Sequence, residues 1–142
     1  MVCERYTHSR TISGSVSAPV SALRAASLRV NTTANNIANA RTVGRPGATD
    51  PSEQVFQPQD VVQSSLSTGG VTARTIDRRP GSSPAFDPGN SLANAQGLVD
   101  SPNVDLASEL VDFKTAEVSF KAAAALIRAE DERTEALLDI KT

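Results

Sequence analysis

Seven of the chain's eight prolines fall between Thr42 and Asn103, and none follows Pro102. Proline has no amide proton to give a helix and clashes with the turn before it, so this stretch cannot be one continuous helix. The chain divides accordingly: a polar extension (1–14), an N-terminal flank (15–45), a Pro- and Gly-punctuated middle (46–102), and a flank with neither Gly nor Pro (103–142). Residues 1–14 show no apolar periodicity and read as disordered.

The N-terminal flank predicts a helix from about Ser17 to Ala40. Ser17 suits the N-cap, and Pro19 then falls in the first turn, where its missing N–H is not needed. Val16, Val20, Leu23, Ser27, Val30, Ala34, Ile37 and Arg41 recur at alternating steps of four and three, the narrow seam of a coiled coil. The C-terminal flank keeps the same steps from Leu106 through Leu110, Phe113, Glu117, Phe120, Ala124, Ile127, Asp131 and Thr134 to Leu138. Val111, Val118, Ala122, Ala125 and Ala129 widen that stripe on one side, and Asn103 or Asp105 can cap its start. A helix from Asn103 to Asp139 is roughly 55 Å long. That is too long for the body of a 142-residue globule, so it projects or runs along a partner.

The middle predicts two short strands, Asp60 to Leu66 and Gly70 to Ile76, turned by Ser67-Thr68-Gly69-Gly70. Val55–Phe56 is a candidate third, and Arg78 to Leu92 reads as an extended loop. The expected fold is mainly α with a small β-rich insert, the N- and C-terminal helices forming an antiparallel coiled-coil-like pair. Charge favours that pairing. Ser15 to Arg45 carries four Arg and no acid, whereas Asn103 to Thr142 carries nine acids and five bases, so the flanks are +4 and −4. Aromatic residues make up only 4% of the chain, which limits the core it can bury alone and leaves apolar surface for partners to cover.

The chemistry of a catalytic site is missing from the pattern. The one histidine, His8, and the one cysteine, Cys3, both lie in the polar extension, so no Ser-His-Asp or Cys-His set forms in a folded region. Glu130-Asp131-Glu132 is a contiguous run whose side chains point in different directions around a helix, which is a solvated face rather than a metal site. Gly69-Gly70 and Gly81 lack the spacing of a phosphate loop. Arg24, Arg29 and Arg41 are dispersed and have no interleaved aromatics, which argues against nucleic acid. No apolar run reaches bilayer length and no signal peptide is evident. We therefore expect no enzyme activity, cofactor, metal, nucleic acid or membrane insertion. Asn35, Asn36 and Asn39 are the odd feature of the first helix. Three amides in five residues either fray its end or hydrogen-bond across a helix interface and fix its register.

Those asparagines also carry a resemblance. Ala34-Asn35-Asn36-Ile37-Ala38-Asn39-Ala40-Arg41-Thr42 resembles the A-N-N-[IL]-A-N-x-x-T signature of flagellar rod and hook proteins, with Ser21 to Val30 as the turns before it. Pro102-Asn103-Val104-Asp105-Leu106, then Glu109-Leu110-Val111, is similar to the family's P-N-V-D-x-x-x-E-M-V, with Leu110 in place of Met. Phe120-Lys121-Ala122 stands where the family has Tyr-x-Ala; Glu117 and Ala123 depart from its usual residues. Phe86-Asp87-Pro88-Gly89-Asn90-Ser91-Leu92-Ala93 and Gly97-Leu98-Val99 resemble the middle of C-type proximal-rod subunits.

The resemblance implies a structural subunit of the basal-body rod, exported by the flagellar type III route without a cleaved signal and located in the periplasm-spanning rod. Its implied partners are other rod subunits and the basal-body base, in homo- and hetero-oligomers. The expected assembly interface is Leu23, Val30, Asn35, Asn36, Ile37, Asn39, Leu106, Leu110, Phe113, Phe120 and Ile127. The competing reading is a diverged rod paralogue acting as a soluble regulatory or export-associated coiled-coil module.

Overall fold

The computed structural model describes residues 9–140, with side chains from residue 16 onward. Two long helices bracket four short strands in the order α1 (Ser9–Asn39), β1 (Gln59–Ser65), β2 (Val71–Asp77), β3 (Ser82–Phe86), β4 (Leu98–Pro102), α2 (Leu106–Asp139). This is the mainly α fold with a small β-rich insert that the proline distribution predicts.

α1 is 31 residues long and begins well before Ser17, so residues 9–14 are helical rather than disordered, and residues 1–8 lie outside the described residues. Pro19 therefore sits inside the helix, not in its first turn. α2 runs 34 residues, roughly 51 Å. Asp105, not Asn103, is its N-cap: the carboxylate accepts from the Ala107 amide at 2.9 Å and, more weakly, from Ser108 at 3.4 Å. This satisfies donors that a helix start otherwise leaves open.

The insert holds two separate two-stranded antiparallel sheets, β1–β2 and β3–β4. In the first, Gln59 pairs with Asp77 and Ser65 with Val71. Its turn closes through Gly69 and Gly70, both at positive φ, a conformation open to glycine at little cost. The Val71 amide beyond the turn donates to Ser21 Oγ at 3.0 Å, and that hydroxyl donates back to Ala18 O at 2.7 Å. Ser21 thus ties the hairpin to α1. The second sheet pairs Ser82 with Pro102 and Phe86 with Leu98. It occupies part of the segment expected to be loop, whereas Val55–Phe56, the candidate third strand, carries no strand. The run from Asp87 to Gly97 is the β3–β4 connection, closed by Asp87 N–H to Gly97 O at 2.9 Å. Gly44 bridges to Asp100 of β4 by two backbone hydrogen bonds of 2.9 Å. A side chain there would collide with the backbone of Val55.

α1 packs against α2 and also against β1 and β2. That double contact buries the α1 and α2 residues of the core, whereas Val99 lies on β4. The buried apolar residues are Ala25, Ala26, Val99, Ala116 and Ala123, joined by Thr32, Thr33, Asn36 and Glu109. On α2, Glu109, Ala116 and Ala123 are the buried set, spaced seven apart. The repeat matches the sequence pattern, but the buried line is one residue away from the expected Leu110, Glu117 and Ala124. Two of its three residues are alanines, and the third, Glu109, is the largest fully buried side chain. Of the expected N-terminal seam, Ala34 is exposed, and Arg41 is exposed and lies beyond the end of α1.

Beside that line, Glu117 accepts from Lys121 at 2.7 Å and from Lys114 at 3.0 Å. These hydrogen bonds, Lys121's first, hold its carboxyl at about 2 against an ordinary 4.5. A depressed carboxyl pKa contributes stability above the unfolded value, and that contribution is lost as pH falls from about 4.5 toward 2. Because the trio faces solvent, the contribution to folding is small. In an NMR titration the Glu117 carboxyl is expected to have its midpoint well below 4.5, returning toward 4.5 in Lys121→Ala. An identical midpoint in both chains would refute the pairing.

Candidate functional site

Glu109 enters the first turn of α2 because Asp105 caps the helix four residues earlier, and it points into the molecule rather than to water. Its side chain is only 2% exposed. Burying a carboxylate is costly unless charge and hydrogen bonds compensate, and here both do. Arg78, just past the end of β2, places Nη2 2.7 Å from Glu109 Oε1. Asn36 of α1 points Nδ2 at both carboxylate oxygens, each at 3.2 Å.

Each partner is fixed in turn. Asn36 Nδ2 also donates to Gln59 O at 2.8 Å, and Asn36 Oδ1 accepts from Gln59 N at 3.1 Å. The amide thus engages the backbone of β1 as a further strand would. Arg78 donates through Nη2 and Nε to Asp60 Oδ1, at 2.6 and 3.0 Å, and through Nη1 to Asn103 O at 3.1 Å. Its pKa is raised, first by the Asp60 hydrogen bond and further by Glu109, against the opposing effect of desolvation. One cluster therefore joins the end of α1, the start of β1, the end of β2 and the start of α2. Among the described residues no buried side-chain nitrogen or oxygen lacks a partner.

This arrangement holds parts together and offers no reactive group. Both side chains that contact Glu109, Asn36 and Arg78, are themselves held by further hydrogen bonds. Among the described residues no group of three or more His, Cys, Asp or Glu is placed to hold a metal, and no helix is long and apolar enough to cross a membrane. Cys3 and His8 lie outside the described residues.

The two sequence motifs meet at this clamp: Asn36 belongs to the Ala34–Thr42 signature and Glu109 to the segment that begins at Pro102. Residues 18–44 match the family described as flagella basal body rod protein. The flagellar basal-body rod protein FlgC of Yersinia enterocolitica is 41% identical over 108 residues, covering 72% of this chain and 77% of that protein. The chain belongs to the FlgC family of flagellar basal-body rod proteins. FlgC of Salmonella typhimurium is 38% identical over the same shares, and FlgC of Aquifex aeolicus 32% over 72% and 76%. As a member, the chain is a structural subunit of the flagellar rod.

Of the residues expected at the assembly interface, Asn36 alone enters the clamp. Asn35 is exposed, and its carbonyl accepts from Asn39 Nδ2 at 3.0 Å within the helix. Leu23, Val30, Ile37, Phe113 and Ile127 are half-buried, whereas Leu106, Leu110 and Phe120 are exposed. The amide pattern thus divides: Asn36 fixes register, and its neighbours do not. Gln59, Asp60, Arg78 and Glu109 were not among the expected site residues. Glu109 stands in a quoted motif and was legible there; Arg78, in a run of turn residues, carries no such mark.

Proposed function

We propose that this chain builds the proximal part of the rod as a rigid strut whose two terminal helices run antiparallel as a coiled-coil-like pair, with the β-rich insert set to one side. The observation that carries this is the Asn36–Glu109 hydrogen bond. It joins the end of α1 to the start of α2, and the two helices then pack together. The clamp fixes the insert to the pair, so a load on the helices passes to the insert without a hinge.

Leu106, Leu110 and Phe120, 38%, 53% and 39% exposed, are apolar surface for neighbouring subunits. Leu23, Val30, Ile37, Phe113 and Ile127 complete the interface along the helix pair, and Asn35 and Asn39 border it. Partners are other rod subunits and the basal-body base, in homo- and hetero-oligomers. The protein reaches the periplasm-spanning rod by flagellar export without a cleaved signal, and it has no catalytic role. Lean helices of this kind gain order when neighbours cover their seams.

Ile37→Asp and Phe113→Asp each place a charge where an apolar side chain is half-buried. Both are expected to abolish swimming and incorporation into purified hook–basal bodies, with export into the periplasm intact. Normal incorporation of both variants, measured by mass spectrometry, would sink the interface assignment. Absence of the wild-type chain from hook–basal bodies that contain the known rod proteins would favour a soluble regulatory module instead.

A further inference from the structure

The outer side of α1 and the β1–β2 hairpin enclose an open apolar groove of about 500 Å³, floored by Ala25, Leu28, Leu66 and Val71, with Arg24 on its rim. A second hollow of about 360 Å³, which shares Arg24 and Leu28, continues it along α1. Leu66 is 44% exposed, so an apolar surface stands open beside an exposed guanidinium.

The opposite chemistry stands at the far end of α2. Leu137, Leu138 and Ile140 are all more than 60% exposed, and the turns that carry them hold Glu132 and Glu135. A helix end with leucines on its surface and acids beside them matches a groove with an apolar floor and a basic rim. The chain's own tip cannot fill its own groove. On the antiparallel pairing proposed above, on which this inference rests, both helices run away from the clamp. Leu138 lies 29 residues along α2 from Glu109 and Leu28 lies 8 residues along α1 from Asn36, a difference of roughly 30 Å along the pair.

We propose that the end of α2 of one copy docks in the α1–hairpin groove of a second copy. The contact is head-to-tail: each copy offers a groove to one neighbour and a tip to another. Such a contact does not close on itself in a pair: it builds a ring where its rotation closes and an open helical array where it does not, and the second is the geometry a rod requires.

The test uses two full-length chains, each carrying Cys3→Ser, one with Leu28→Cys and the other with Leu138→Cys, distinguishable by tag. Mild oxidation of the mixture is expected to cross-link the two chains to each other. Arg24→Glu in the groove chain is expected to lower that yield about tenfold, and Glu132→Arg with Glu135→Arg in the tip chain to restore it. A yield no higher than for a chain bearing Phe86→Cys in place of Leu28→Cys would overturn the contact. So would a yield indifferent to the charge reversals, or cross-links in isolated basal bodies that run from Leu28→Cys only to a different rod subunit. Incorporation of the wild-type chain into hook–basal bodies is scored separately: a chain that incorporates but does not cross-link disproves the docking and leaves the rod role standing.

Discussion

Arg78→Ala is expected to destabilise the whole fold, by about 3–5 kcal/mol, the usual loss when one partner of a buried ion pair is removed. The substitution removes the one cation that, among the described residues, pairs with Glu109, a side chain only 2% exposed in the intact protein, so the carboxylate keeps Asn36 alone as a side-chain donor. It also frees Asp60 and the Asn103 carbonyl, which Arg78 now holds beside β1 and the start of α2. The margin to absorb that loss is thin. Domains have about 5–15 kcal/mol to lose, and among the described residues the buried apolar side chains are small: four alanines and one valine, beside Pro58 and Pro102. Urea denaturation followed by circular dichroism should show a large fall in midpoint. Arg78→Met combined with Glu109→Leu is expected to recover part of the stability, because apolar replacements remove the charge that the single variant strands. A loss below about 1 kcal/mol for Arg78→Ala would mean that the pair behaves as a surface salt bridge and that the clamp does not hold the elements together.

Proline and glycine placement made the layout legible, because their effect on backbone is local. The two-helix frame, the β1–β2 hairpin and its Gly69-Gly70 turn all follow from residues a few positions apart. The β3–β4 sheet was not legible, since Pro84 sits within β3 and Pro102 ends β4. Proline normally argues against a strand, and only a narrow sheet with free edges accommodates it. The start of α1 was misplaced because Ser17 and Pro19 imitate an N-terminus, although the helix runs through Pro19. The clamp was half legible. Asn36 drew notice as an amide inside a helix, but its partners lie 23 residues away at Gln59 and 73 away at Glu109. No local rule joins positions so distant. The α2 stripe was legible in part: Phe113 and Ile127 are half-buried as the spacing suggests, whereas Leu106 and Leu110 are exposed and the fully buried positions are Glu109, Ala116 and Ala123.

That difference in phase gives the second large expectation. Ala116 is 0% exposed and Ala122, six residues further along α2, is exposed. Ala116→Leu adds three carbons where there is no room, and overpacking of this kind costs about 1–3 kcal/mol. Here the harm goes further. Ala116 lies two turns beyond Glu109, so prising the helices apart at Ala116 also draws Glu109 away from Asn36, whose two contacts are already 3.2 Å long. The variant is expected to lose helical content and to melt well below wild type. Ala122→Leu, chemically the same change on the outer side, is expected to leave the melt within a degree or two and to act on assembly alone. Under the phase read from the leucines, Ala124→Leu would be the damaging substitution and Ala116→Leu a mild one. Thermal melts of the three variants therefore decide between the two seams, and equal damage at Ala116 and Ala122 would refute both.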